Sequence, residues 1–234
     1  MKDLFGRAIL DYQTQNKPEN LFTKTDITHL DEMEVSYLFR DYKGMPKIEQ
    51  RALDMSFGSI LDIGCGAGSH SLELLKKGLA VTAIDRSPAA IEACKLRGIT
   101  QAHCVDLLDF KGESFDTILM LMNGTGIFGK MNRITTYLTL LKTLLNKGGQ
   151  ILIDSSDLIY MYDEDEDGGR WIPHDKDYYG ELKFTISYKR QIEVPFDWLF
   201  LDYNTLQNAA HANGFQCELV CEGEHFDYLA KLYI

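Results

Sequence analysis

No apolar run in this 234-residue sequence reaches the roughly 18 residues of a membrane-spanning helix, so no membrane partner is expected. The start, Met1-Lys2-Asp3-Leu4, lacks the charged-then-apolar layout of a signal peptide. Positive charge is scarce: 24 Lys and Arg stand against 35 Asp and Glu, and the net charge of −11 disfavours wrapping a nucleic-acid backbone. The one basic patch, Arg40, Lys43, Lys47 and Arg51, is interrupted by Asp41 and Glu49 and reads as a solvated helix face. Cysteines are few and odd in number. Cys65, Cys94, Cys104, Cys217 and Cys221 lie in apolar segments, which predicts reduced core residues. Only Cys217 and Cys221 are close in sequence, and no His or second Cys pair completes a zinc site with them. Internal repeats and disordered linkers are missing too. What remains is a cytoplasmic globular chain, long enough for one domain with a full core.

The chain is organised around Ser59-Ile60-Leu61-Asp62-Ile63-Gly64-Cys65-Gly66-Ala67-Gly68. A short apolar run, Ile60 to Ile63, predicts a buried strand; a glycine-dense turn follows, and Ser69 to Lys77 has helical spacing. Glycines let a backbone approach a ligand closely, and the next helix presents free N–H groups at its start.

Before this stretch, residues 1–56 read as a helical N-terminal cap, with helices near Leu4–Ile9, Asp31–Tyr42 and Ile48–Met55. After it, strands and helices alternate through residues 57–154, which predicts a parallel sheet. Strands Ala80–Ile84, Gln101–Val105, Phe115–Leu121 and Gln150–Ile153 end at Asp85, Asp106, Met122-Asn123 and Asp154. Ser87-Pro88 marks a helix start, and Lys147-Gly148-Gly149 caps the helix from Met131 to Leu145. Residues 155–200 break the alternation with an aromatic-rich insertion that includes a strand-like run, Leu182–Tyr188. A closing helix, Tyr203–Ala212, and an antiparallel hairpin fill residues 201–234.

The successive strand ends converge on one crevice, where such sheets bind ligands. Asp85 lies 21 residues past Gly64, placed to accept hydrogen bonds from ribose hydroxyls. Asp106 can accept from an exocyclic purine amine, although nearby Asp109 leaves a merely solvated role open. Asn123 either contacts substrate or only turns the chain.

On Leu61-Asp62-Ile63-Gly64-Cys65-Gly66-Ala67-Gly68, Val81 to Pro88, Asp106-Leu107 and Leu144 to Asp154, the sequence resembles the class I S-adenosylmethionine-dependent methyltransferases. The resemblance implies an α/β, Rossmann-like three-layer sandwich with a seven-stranded, mostly parallel sheet in order 3-2-1-4-5-7-6, the last strand antiparallel. It implies S-adenosyl-L-methionine as cofactor and S-adenosyl-L-homocysteine as product. Gly64, Cys65 and Gly66 would pass beneath the methionine part, Asp85 would hold the ribose and Asp106 the adenine amine, and Arg86 and Leu107 would flank the base. Asp62, Met122 and Asn123 complete the candidate cofactor-binding set. No catalytic residue is assigned.

Met122-Asn123-Gly124-Thr125-Gly126 departs from the Asn/Asp-Pro-Pro-Tyr-type signature of enzymes that methylate planar amino groups. With the acidic balance, that points to a small-molecule acceptor. The insertion's aromatics (Tyr160, Tyr162, Trp171, Tyr178, Tyr179, Phe184, Tyr188, Trp198) suit an apolar or aromatic compound, or equally a lid core. Residues 1–56 and 155–200 are expected to close together over the acceptor. His174, Tyr178 and Tyr179 are candidates for a base or an aromatic wall, with packing or surface roles the default. Asp163-x-Asp165-x-Asp167-Gly168 begins like a calcium loop, but His174 stands where the bidentate Glu belongs, so no metal is expected. Two alternatives share the glycine loop: an NAD(P)-dependent oxidoreductase, which wants Gly where Ser69 stands and a Tyr-x-x-x-Lys pair, and a non-catalytic S-adenosylmethionine binder or sensor.

Overall fold

The computed structural model describes residues 2–172, 174 and 176–234. The chain opens with helix α1 (Leu4–Thr14), short strands β1 (Leu21–Lys24) and β2 (Asp31–Met33), and helix α2 (Lys47–Met55). Next come β3 (Ser59–Ile63), α3 (Ser69–Lys76), β4 (Ala80–Asp85), α4 (Pro88–Leu96), β5 (Ala102–Cys104), β6 (Phe115–Met120), α5 (Ile134–Thr143) and β7 (Leu145–Ser156). The insertion supplies β8 (Glu181–Tyr188), β9 (Gln191–Ile192) and β10 (Phe196–Leu199). The chain closes with α6 (Tyr203–Ala212), β11 (Gln216–Glu222) and β12 (Asp227–Tyr233).

The main sheet runs β5-β4-β3-β6-β7-β12-β11. Counted from β3, that is the order 3-2-1-4-5-7-6, with β12 antiparallel to both neighbours. Side-chain alternation builds a layer on each face. Leu61, Ile63, Ile118, Met120, Ile151 and Ile153 pack on one side against Leu138 and Leu141 of α5 and Leu206 and Ala210 of α6. Ile60, Leu119, Leu121 and Leu152 face the other way, onto Ile48, Ala52 and Leu53 of α2. The Ser87 hydroxyl caps α4 by accepting from Ala90 N at 3.0 Å, with Pro88 in the first helical turn.

The cap is less helical than its apolar spacing predicts. Asp31–Tyr42 forms β2 and a 3-10 turn, Val35–Phe39, instead of one helix. Three apolar residues at helical spacing bury only Val35 and Leu38, too short a stripe to hold an α-helix. Lys147-Gly148-Gly149 lies inside β7, where the register to β6 skips between Phe115–Leu145 and Thr117–Gln150. All five cysteines are free thiols, but Cys104 is exposed and Cys221 half-buried, so these two are not core residues.

The cap and the insertion join in a second, antiparallel five-stranded sheet, in order β10-β8-β1-β2 with β9 also on β8. Leu4, Ala8 and Leu21 share a core with Ile186 and Tyr188. Polar bonds fasten the two pieces. Glu193 accepts from Lys2 N at 2.8 Å and Leu4 N at 3.3 Å, and Asp11 accepts from the Tyr188 hydroxyl at 2.9 Å and Lys189 Nζ at 2.7 Å.

Candidate functional site

A cavity of about 470 Å³ opens between the C-terminal ends of the main-sheet strands and the second sheet. Gly64, Cys65, Gly66, Asp85, Arg86, Asp106, Leu107, Met122 and Asn123 all border it. Asp62 does not. Its carboxylate is buried and accepts from the Ser71 hydroxyl, which pins α3 to β3. Burial pushes that carboxyl above its ordinary value, and a nearby His70 and Ser71 only partly offset this. A separate depression of about 340 Å³, lined by Phe110 to Ser114 with Leu140, Thr143 and Leu144, contains none of the strand-end residues.

The glycine loop is shaped from both sides. Gly68 has φ +78°, and a Cβ there would lie 2.3 Å from Ile99 Cδ1 and 2.9 Å from Cys94 Sγ. At Gly66, φ is +53° and the nearest atom to an added Cβ is 3.9 Å away, so its bare backbone leaves room on the cavity side. Gly66 N donates to Asp85 Oδ2 at 3.0 Å, and Ser87 N to Oδ1 at 2.8 Å. Each carboxylate oxygen keeps a further acceptor site. Burial raises the Asp85 carboxyl above its usual value, against the two N–H donors that favour its charge. Asp106 accepts from Leu108 N at 3.0 Å, which fixes the turn carrying Leu107.

Beyond β6 the chain passes through two consecutive left-handed residues, Met122 (φ 65°) and Asn123 (φ 60°). Asp154, buried in β7 opposite Leu229 of β12, holds them. Its oxygens accept from Met122 N at 3.0 Å and Gly124 N at 2.8 Å. Burial pushes the Asp154 carboxyl up to about 7, despite those donors. The Asn123 side chain is already committed: Oδ1 accepts from Ser155 Oγ at 2.9 Å and Nδ2 donates to Leu199 O at 3.3 Å. It fastens the loop to the insertion.

Phe184 and Ile186 of β8 and Phe196 and Trp198 of β10 form the opposite wall. The three aromatic rings lie 5.7 to 6.2 Å apart. Trp198 lies on Gly126, where a Cβ would come within 2.0 Å of the indole. The Arg86 guanidinium sits 5.7 Å over the Phe196 ring. Of the eight aromatics singled out in the insertion, only Phe184 and Trp198 reach the cavity. Tyr178 and Tyr179 instead bond Asp202 and Asp157 at 2.6 and 2.7 Å, Tyr160 stacks on Phe226, and Trp171 and His174 are exposed.

Arg40, Glu49 and His70 form a group that sequence reading missed. Arg40 is not solvated: its side chain is 6% exposed and paired with Glu49, which is 4% exposed. His70 Nε2 meets the same carboxylate at 2.8 Å. Arg40 and His70 border the cavity, and Glu49 stands behind them. His70, two residues past Gly68, was the one local signal.

Comparison with known proteins agrees with this geometry. Residues 60–149 match the family described as "Methyltransferase domain". A crystal structure of a SAM-dependent methyltransferase from Bacteroides fragilis, in complex with S-adenosyl-L-homocysteine, is 45% identical, with TM-score 0.91 over 100% of this chain and 95% of that one. The ubiquinone biosynthesis O-methyltransferase of Histophilus somni is 28% identical over 95 residues, 41% of this chain and only 38% of that protein. A sugar N-methyltransferase from Streptoalloteichus shares the fold at 18% identity and TM-score 0.56, over 83% of this chain and 87% of that one. None of these supports the oxidoreductase alternative.

Proposed function

We propose an acceptor class on a settled premise: this chain belongs to the S-adenosylmethionine-dependent methyltransferase family. It is a methyltransferase that uses S-adenosylmethionine. The acceptor, on our reading, is a small apolar or aromatic molecule. The observation that carries this is the aromatic wall of Phe184, Phe196 and Trp198, set across the cavity from the glycine loop. Nucleic acid and membrane have no part in it, and free thiols fit a cytoplasmic setting.

Two features support the fit of the cofactor. Gly66 leaves its cavity side open, and Asp85, which borders the cavity, keeps a further acceptor site on each carboxylate oxygen. On this assignment Gly64, Cys65 and Gly66 run beneath the methionine part, Asp85 accepts from the ribose hydroxyls, and Asp106 accepts from the adenine amine. Arg86 and Leu107 flank the base, and Met122 and Asn123 contribute backbone.

When bound, the cofactor supplies an electrophilic methyl group. The chain's own residues align a nucleophile with it and keep water out. The acids of the wall are already engaged: Glu193 takes backbone N–H groups, and Asp197 pairs with Lys183 at 2.6 Å. Catalysis, on this reading, is alignment inside a largely apolar chamber.

Titration calorimetry with S-adenosylhomocysteine on wild type and Asp85→Ala tests the cofactor site. Loss of the charge-assisted ribose bonds is expected to weaken binding by about tenfold or more. An acceptor screen that follows release of S-adenosylhomocysteine then tests the class. Turnover restricted to peptides or nucleic acids would refute it.

A further inference from the structure

Two guanidinium groups meet at one end of the aromatic wall. Arg86 follows β4 and Arg133 immediately precedes α5, and both border the cavity, exposed at its rim. Each lands against the same strand of the insertion. The Arg86 guanidinium lies 5.7 Å over the Phe196 ring. Arg133 Nη1 and Asp197 Cβ would stand 3.7 and 3.6 Å from a Cβ added at Gly129, so Arg133 sits beside the next residue of β10.

Neither guanidinium pairs with a carboxylate among the described residues. Arg133 lies 5.1 Å over the Tyr137 ring and gives one N–H to the Tyr137 hydroxyl at 2.9 Å. The Arg86 side chain makes no hydrogen bond to any described residue. Stacking on a ring uses the face of a guanidinium and leaves its N–H edge free. Burial raises the Tyr137 hydroxyl above its ordinary value, and the charges of both arginines pull it back, so both act on one point. Of the nearby acids, Asp197 is held by Lys183 at 2.6 Å, and Asp106 is the one assigned to the adenine amine. In a chain of net charge −11, two unpaired arginines against adjoining residues of one strand are suited to an anion.

We propose that the methyl acceptor is anionic: its apolar or aromatic body lies along Phe184, Phe196 and Trp198, and its carboxylate or phosphate is held between Arg133 and Arg86. The proposal rests on the acceptor reading given above and narrows it. Holding one end of the acceptor fixes which of its atoms meets the methyl group. Arg86 also flanks the base in the cofactor assignment. Arg133 has no such duty, so it isolates the effect.

Calorimetry on the protein saturated with S-adenosylhomocysteine compares benzoate, phenyl phosphate and neutral benzyl alcohol. In wild type the tighter of the two anions is expected to bind about fivefold or more better than benzyl alcohol, a modest factor because solvent screens a rim. Arg133→Gln keeps an N–H for Tyr137 and removes the charge. It is expected to weaken that anion about fivefold or more and to leave S-adenosylhomocysteine within about twofold. Lys130→Gln removes an equal charge outside the cavity and is expected to leave the anion within about twofold.

Anions bound no tighter than benzyl alcohol, or not detectably up to about 20 mM, overturn the proposal. So does a smaller loss in Arg133→Gln, or an equal loss in Lys130→Gln. The cofactor reading is tested separately by the first titration. If S-adenosylhomocysteine fails to bind wild type, that assignment falls, and the same three probes on the unliganded protein decide whether Arg133 reads an anion.

Discussion

Asp154 is a buried acid whose charge works against the fold while its oxygens hold the turn of Met122 and Asn123 in place. Burial takes its carboxyl from the ordinary 3.8 to about 7. The folded state thus binds this proton more tightly than the unfolded chain does. Its contribution to stability is complete below the unfolded value and disappears as pH rises through the folded one. Going from 3.8 to about 7 corresponds to about 4 kcal/mol in full, and about 2 kcal/mol of it falls between about pH 5.5 and pH 8. Asp154→Asn removes the titration. The amide loses one of the two acceptor contacts at every pH, so the variant starts out weaker. Urea unfolding of both proteins across that range isolates the effect, because every other group titrates alike in each. The stability difference is expected to move toward the variant by about 2 kcal/mol as pH rises from about 5.5 to 8. A constant difference, or one that moves toward wild type, refutes the claim that burial governs this carboxyl.

Two substitutions probe the packing of the glycine loop and the aromatic wall. Gly68→Ala places a methyl group 2.3 Å from Ile99 Cδ1 at a left-handed φ, and is expected to destabilise by about 2–4 kcal/mol in denaturant melts. Trp198→Ala strips the aromatic wall; with an acceptor found by the screen, KM should rise about three- to tenfold while affinity for S-adenosylhomocysteine stays within about twofold. Unchanged KM would remove Trp198 from the acceptor site.

Local signals carried most of what the sequence revealed. The glycine loop, Asp85 and Asp106 all border the cavity, and short-range bonds set the two acids: Asp85 accepts from Ser87 and Asp106 from Leu108, each two positions on, with Gly66 reaching Asp85 from the preceding strand end. Strand positions followed from short apolar runs such as Ile60–Ile63, and the strand order from the resemblance to the methyltransferase family. Asp62 belongs to the same motif, yet it serves Ser71, since a strand residue on the buried face meets the helix and not the cavity. Asn123 resolved as a structural tie only once Ser155 and Leu199 were seen beside it. Arg40 looked like an exposed basic residue because its partner is nine residues away and the third member, His70, is thirty away. Pairing of β1 with β8 leaves no mark in either strand alone.

That pairing sets an order of events. Phe22 of β1 meets Ser187 of β8, 165 positions later, whereas the main-sheet strands β3, β4 and β6 find neighbours within a few dozen residues. Contacts of long sequence separation form late and carry the larger closure entropy. During synthesis β1 pairs with the adjacent β2, and α1 finds α4 well before the insertion exists, but the edge of β1 that takes β8 must wait for most of the chain. The same seam carries the core of Leu4, Leu21, Ile186 and Tyr188 besides its polar ties, so opening it would expose apolar surface. The outer wall of the cavity, carried by β8 and β10, is therefore tied to the cap only after β3, β4 and β6 are in place.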